Sequence, residues 1–341
     1  MKICQIVASH GDGGLEKHVV ELCNEISKTE DVTLVAPPEM QKYLAKTVHF
    51  VPMNFNRSRH NPLLLLDLLK VLKKGQYDIV HGQASKAVSL LGRMNGWFPG
   101  KTVGTIHNNK AKRAGIFVNI AHVIAVSRGA AKVVQGNVPV TVVYNGIKPV
   151  KVEDGFSRNQ LCETFQLNSE KPLLCSVARL VPAKGFDLLI DALNNVDANL
   201  LIAGDGVERE TLQRQIDQLG IQDRVRLLGY RSDIADILDG VDGVIIASRN
   251  EGFSYVFAEA LLLGKRILST DVPVANEVLN PELIMETAAD AMAVKLNEFV
   301  FDYERWTRLM TSAFNVAQDL FALDAMVSGT LDVYRKVLET R

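Results

Sequence analysis

Two series of short β-branched runs, each run separated from the next by a stretch of helical period, account for most of this 341-residue chain. The first series is KICQIVA (2–8), DVTLVAP (31–37), YDIVHG (77–82), KTVGTIH (101–107), HVIAVS (122–127) and VTVVYN (140–145), with helical patterns at 15–28, 62–74 and 86–94. The second is PLLCSVARL (172–180), NLLIAGDG (199–206), VRLLGY (225–230), DGVIIAS (242–248) and RILST (266–270), interleaved with GFDLLIDALNN, ERETLQRQIDQLG and FAEALLLG. Near-continuous apolar runs alternate with amphipathic helices when strands are parallel and helices cover both faces of the sheet. The expected fold is therefore α/β, with two Rossmann-like doubly wound parallel-sheet domains, 1–150 and 151–319. Residues 146–171 are the expected linker. Ligands would be taken in a cleft between the domains, at the C-terminal ends of the strands.

The length agrees with two domains, since single cores seldom keep growing beyond about 250–300 residues. The composition, 47% hydrophobic and 23% charged, is that of an ordinary globular protein. The longest apolar stretch, PLLLLDLLKVLKK (62–74), carries Asp67 and Lys70 at helical spacing, so no transmembrane span is expected. The N-terminus, MKICQIVASHGDGG, has too short an apolar part for a signal peptide, and a cytoplasmic protein is expected. Cys4, Cys23, Cys162 and Cys175 form no CxxC pair and read as reduced core residues.

The net charge of −1 hides an asymmetry. Residues 1–150 hold 19 Lys and Arg against 9 Asp and Glu, a surplus of +10, whereas the rest of the chain holds 19 against 30, or −11. All seven histidines lie in the first half. Either the first domain meets anionic partners, or opposite charges help the two domains attract one another.

Four strand-end turns carry the chemistry. In SHGDGGLEKHV (9–19), Gly11, Gly13 and Gly14 allow close backbone approach and a helix N-terminus follows. In ARLVPAKGFDLL (178–189), Arg179 and Lys184 over one turn suit a diphosphate. AGDGVERE (203–210) reads equally as a capped turn or a ligand loop. In SRNEGFSYVFAEALLLG (248–264), Glu251 precedes a helix start and Glu259 lies about one and a half turns into it. Amides near Gly252, Phe253, Ser254 and Tyr255 would face phosphates, and carboxylates suit vicinal hydroxyls. A nucleotide-sugar satisfies all these groups together.

At this point the chain resembles the retaining GT-B glycosyltransferases of family 4, of the bacterial envelope-glycan or lipopolysaccharide type. Glu251 and Glu259 match the family's EX7E motif. GGLEK (13–17), DIVHG (78–82), GTIH (104–107), AVS (125–127), YNGI (144–147), ARLVPAKG (178–185), AGDGVER (203–209), LLGY (227–230) and SRNEGF (248–253) follow in order. The resemblance implies that Arg179 and Lys184 neutralise the donor diphosphate, with the Gly13–Gly14 turn closing over it. It implies that Glu259 holds ribose, that Glu251 holds the donor sugar and that His107 lines the sugar and acceptor side. Glu16, His81 and Asn145 fall on the acceptor side, although the family often has a second histidine or polar pair where HGQ gives Gln83. A helix over about 320–341 would cross back onto the first domain. The family transfers sugar to a glycan or lipid-linked acceptor with retention and without a metal or other cofactor, UDP being the expected nucleotide.

Leaving-group charge develops on the β-phosphate, and preorganised cations and amides would stabilise it. No DxD occurs in the chain, which favours metal-independent transfer. Where the family commonly has a Gly-Gly turn before its glutamate, Pro273, Val274, Ala275 and Asn276 precede Glu277. Segments 56–74 and 97–117 mix bases with apolar residues, so peripheral attachment to the anionic inner leaflet of the membrane is expected. Nucleic acid is not an expected partner. A nicotinamide oxidoreductase lacks its GxGxxG, a phosphorylase needs far more chain, and a two-domain periplasmic-type receptor fits the cleft-facing charges poorly. A sugar-nucleotide 2-epimerase of the same fold, or an inactive nucleotide-sugar-binding protein, remains the alternative.

Overall fold

The structure, a computed structural model, describes residues 1–10, 13–107 and 115–340. Gly11 and the basic cluster at 110–113 lie outside the described residues. The chain divides into two compact units, Met1–Gly146 with Leu320–Arg341, and Ile147–Asp319.

The first unit is a seven-stranded sheet in the order β3-β2-β1-β4-β5-β6-β7. Its strands are β1 (Lys2–Val7), β2 (Asp31–Ala36), β3 (His49–Pro52), β4 (Ile79–Gln83), β5 (Lys101–Ile106), β6 (His122–Ala125) and β7 (Val140–Val142), all paired in parallel. The helices are α1 (Gly14–Ile26), α2 (Pro62–Gly75), α3 (Ala84–Met94) and the single turn α4 (Arg128–Ala131). Central strands are buried almost throughout because helices cover both faces. The edge strand β3 was not legible in the sequence: HFVP is four residues long, ends in proline, and is half exposed.

Helix starts follow local chemistry. Asn61 Oδ1 accepts from the amides of Leu63 and Leu64 and Pro62 takes the first helical position, so α2 begins there. Leu64, Leu68 and Leu72 of α2 are buried, while Leu63 and Leu66 are 56% and 50% exposed. The 3.6-residue period thus divides the bases and leucines of this segment into a buried and an exposed face.

The second unit is a six-stranded parallel sheet in the order β10-β9-β8-β11-β12-β13. Its strands are β8 (Leu173–Val177), β9 (Asn199–Ala203), β10 (Val225–Gly229), β11 (Gly243–Ile246), β12 (Ile267–Thr270) and the two-residue edge β13 (Ile284–Met285). Its helices are α5 (Arg158–Thr164), α6 (Phe186–Leu193), α7 (Arg209–Leu219), α8 (Ile234–Asp239), α9 (Tyr255–Leu262), α10 (Ala275–Val278) and α11 (Ala289–Phe299). Helix α5 stands inside the expected linker. Its start is set by a capping box, Ser157 with Gln160. α12 (Tyr303–Phe321) sends Trp306 into this core, where its indole N–H donates to Ile267 O at 3.1 Å.

The last helix, α13 (Leu323–Glu339), belongs to the first unit. Leu323, Met326, Leu331, Val333, Tyr334 and Val337 enter the same apolar cluster as β1, β2 and α1. The four cysteines are free and buried, and burial pushes the Cys175 thiol up to about 12. Among the described residues no helix is long and apolar enough to cross a membrane.

Candidate functional site

In the second unit, loops at the C-terminal ends of β8, β9, β10 and β11 gather the charged groups. Arg179 follows β8, and a 3-10 turn, Pro182–Lys184, carries Lys184 to the start of α6. Lys184 pairs with Glu251 of the loop after β11, and Ser248 Oγ donates to Glu251 Oε1 at 2.9 Å. Thr270 Oγ1 donates to Ser248 O at 2.6 Å, tying this loop to β12.

The two loops are laced together. Arg249 meets Asp187 through both terminal nitrogens at 2.6 Å and donates to Pro182 O at 2.8 Å. The Arg249 N–H donates to Ala183 O at 2.8 Å. That fork holds the Asp187 carboxyl below the usual carboxylate range. AGDG is packed as tightly: Gly204 has φ +140°, and a Cβ there would lie 1.9 Å from Ala178 O. The glycine therefore lets the β9 loop press against the loop that carries Arg179.

A cavity of about 340 Å³ opens where these strand ends meet α9. Arg179, Asp205, Tyr230, Arg231, Tyr255 and Glu259 are among its lining residues. Tyr230 is 81% exposed at its edge, and Arg231 pairs with Asp233 beside it. Ser254 Oγ caps α9 by accepting from the Phe257 amide at 3.3 Å, and the ring of Phe253 meets that of Tyr255 edge-on at 5.4 Å. The start of α9 brings positive potential to the group that also holds Arg179 and Lys184.

In the first unit, Gly13 N–H donates to Glu16 Oε2 at 3.0 Å, so Glu16 caps the start of α1. His107, directly after β5, meets His18 edge to face at 4.9 Å and lies 2.9 Å from Gln83 through Nε2. Burial pushes the His18 pKa down to about 4, the Asn145 side chain opposing it. Burial and the neighbouring imidazoles hold His107 well below its usual range, so both rings are uncharged at neutral pH. Among the described residues no group of three or more His, Cys, Asp or Glu is placed to hold a metal ion.

The profile described as "Glycosyltransferase Family 4" matches residues 12–151, and that described as "Glycosyl transferases group 1" matches residues 157–315. Together they span all but the two ends of the chain and a short join. The chain belongs to the GT-B glycosyltransferases of family 4 type. The transferase is 24% identical over 333 residues to the lipopolysaccharide core biosynthesis glycosyltransferase LpsE of Rhizobium meliloti, covering 94% of this chain and 96% of that one. LpsD of the same organism, also a lipopolysaccharide core biosynthesis glycosyltransferase, is 32% identical over 137 residues, 40% of this chain and 38% of that one. The crystal structure of Anabaena HepE in complex with UDP superposes with a TM-score of 0.84 at 20% identity, over 98% of this chain and all of that one.

The transferase thus brings Arg179, Glu259 and Tyr255 to one cavity and pairs Lys184 with Glu251 between the loops after β8 and β11. Gly252, Phe253 and Ser254 sit on the connecting loop. His107 and Asn145 gather around His18, a residue not singled out from the sequence. Two acceptor-side readings meet structural roles. His81 is 1% exposed, with both ring nitrogens engaged by Tyr334 and Thr105, which leaves it no atom to offer a ligand; Glu16 is a helix cap. Tyr230 and Arg231 were also missed, although an aromatic directly after a strand-ending glycine was visible in LLGY.

Proposed function

We propose that this transferase moves a hexose or related sugar from a nucleotide-diphosphate sugar, UDP foremost, to a glycan or lipid-linked acceptor in lipopolysaccharide or other envelope-polysaccharide synthesis. The observation that carries the reading is the Lys184–Glu251 pair, formed by the same strand-end segments that carry Arg179 and Glu259, which line the cavity. The base lies against Tyr230, the ribose hydroxyls are held by Glu259, and Arg179 with Lys184 meets the diphosphate. Glu251 grips the donor sugar. An ammonium has three donors, so Lys184 serves Glu251 and the β-phosphate at once and ties the sugar to its leaving group.

As the glycosidic bond breaks, charge collects on the β-phosphate, where the fixed cations and the start of α9 are strongest. Transfer proceeds with retention and without a metal, the chain's own cations taking the role an ion would fill. Binding of UDP by HepE and the lipopolysaccharide role of LpsE support the donor and acceptor classes. The exposed Leu63 and Leu66 of α2, with Lys70, Lys73 and Lys74 on the same helix, support peripheral attachment to an anionic inner leaflet.

The test is nucleotide release from UDP-, GDP- and ADP-sugars in EDTA, with Glu259→Ala and Lys184→Ala as controls. Release from one donor, lost in Lys184→Ala and shifted to higher donor concentration in Glu259→Ala, supports the reading. No release from any donor, with no nucleotide-diphosphate binding by calorimetry, overturns it.

A further inference from the structure

Six side chains of the first unit form one unbroken hydrogen-bonded line. His107 Nε2 lies 2.9 Å from Gln83 Oε1. Gln83 Nε2 donates to Gln5 Oε1 at 3.0 Å, and Gln5 Nε2 donates to Tyr334 Oη at 2.7 Å. Tyr334 Oη lies 2.6 Å from His81 Nδ1, and His81 Nε2 lies 2.6 Å from Thr105 Oγ1. All but His107 are 1% exposed or less, so bulk water does not compete for these bonds.

In such a line the sense of one bond dictates the next. An amide oxygen only accepts, so the ring proton of His107 is on Nε2. Gln83 and Gln5 each accept at oxygen and donate from nitrogen in the same direction. The Tyr334 hydroxyl, having accepted from Gln5, donates to His81 Nδ1. The proton of His81 is then on Nε2 and goes to Thr105. Burial keeps the Tyr334 phenol protonated, its pKa well above the usual value, and holds His81 neutral, with a pKa of about 3. Reversing the bond at either amide requires the other amide to turn over and His107 to exchange tautomers, so the stretch from His107 through Gln83 and Gln5 switches together.

We propose that this line fixes His107 as its Nε2–H tautomer, with Gln83, Gln5 and Tyr334 of the C-terminal helix as positioning residues. The proposal rests on the reading of His107 as a group that lines the sugar and acceptor. The bond at one ring nitrogen decides what the other can do. With Nε2–H committed to Gln83, Nδ1 is the lone-pair nitrogen and accepts from a substrate hydroxyl; the opposite tautomer would confront that hydroxyl with a second donor. His18, edge-on to His107 at 4.9 Å, limits rotation of the ring. The last helix is thereby part of the reacting centre's machinery although Tyr334 touches no substrate.

The test is a two-bond proton–nitrogen correlation spectrum of the full chain carrying ¹⁵N-labelled histidine, with the His107 signals assigned by their loss in His107→Asn. The expected result is a single neutral Nε2–H tautomer for both His107 and His81. Tyr334→Phe keeps the ring and cuts the line, so His107 should show a mixture of tautomers without having lost a direct contact. Gln83→Leu cuts it at the nearest link and should do the same. Turnover by Tyr334→Phe should fall about tenfold in kcat with the donor KM unchanged, the worth of one hydrogen bond. An Nδ1–H tautomer or a mixture in the parent protein overturns the proposal, as does an unchanged His107 pattern in a folded Tyr334→Phe or Gln83→Leu. If no donor is turned over, the functional reading fails while the tautomer spectra still decide this one.

Discussion

Lys184 and Glu251 are 67 residues apart in the chain and form an ion pair between two strand-end loops, with side chains only 19% and 9% exposed. Ser248 Oγ donates to the same carboxylate oxygen. A lysine expected on the diphosphate and a glutamate expected on the sugar are therefore direct neighbours. Replacing Lys184 by alanine removes both the pair and a cation of the proposed leaving-group site. Nucleotide release should fall by about 10²–10³ in kcat, read in single-turnover assays; a loss confined to KM would remove Lys184 from the bond-breaking step.

Glu259 lies one helical turn into α9 and lines the cavity with Arg179 and Tyr230. The proposed hold on ribose is the same in ground and transition states, so Glu259→Ala should raise the donor KM and leave kcat nearly unchanged. Losing a pair of charge-assisted hydrogen bonds sets the rise at about ten- to a hundredfold. Initial rates against donor concentration give the answer, and a fall in kcat alone would remove Glu259 from the ribose site.

Gly204 cannot carry a Cβ without displacing the backbone at Ala178. Gly204→Ala should cost about 2 kcal/mol or more from strain and steric overlap, seen as a lower midpoint in urea. The same displacement moves Arg179, so nucleotide-diphosphate binding should weaken as well. An alanine variant of parental stability would contradict the tight loop contact.

His18 and His81 have pKa values lowered by burial to about 4 and about 3, against about 6.5 when unfolded. Between these values the unfolded chain binds protons that the folded one refuses. The stabilising contribution is complete above about pH 6.5 and is lost as pH falls toward 3–4, with a slope approaching about 1.4 kcal/mol per pH unit for each histidine. Urea midpoints from pH 7 down to pH 5 check this. A shallower profile in His18→Asn combined with His81→Asn, the remaining slope belonging to buried His107, beside a steeper one in the parent, is the expected contrast.

The outer face of α2 shows Leu63 and Leu66 above a run of lysines. Replacing both leucines by serine should reduce co-sedimentation with anionic liposomes at low salt several-fold without loss of stability, since Leu64, Leu68 and Leu72 hold the helix to the core. Each lysine near such a surface contributes about 1 kcal/mol, screened by salt. Parental binding that is absent, or unchanged by the double substitution, argues against attachment through this face.

The sequence by itself determined the parallel α/β character, most strands and the loops that carry Arg179, Lys184, Glu251 and Glu259. Apolar period and strand-end glycines are local signals, written within ten or twenty residues. The half-exposed edge strand β3 and the short helix α5 were less legible because their apolar runs are too brief to show a period. Val274 lay beyond any local rule: it has φ +75° and ψ −53° at the start of α10, a backbone conformation that favours glycine, in the place where the family commonly has a Gly-Gly turn. Only the tertiary structure decided which polar groups meet. His81 looked like a strand-end ligand until Tyr334, 253 residues later, closed on it, and the histidine became a link to His107. A buried polar atom takes its role from whichever partner the fold brings within about 3 Å, and no period in the sequence encodes that meeting.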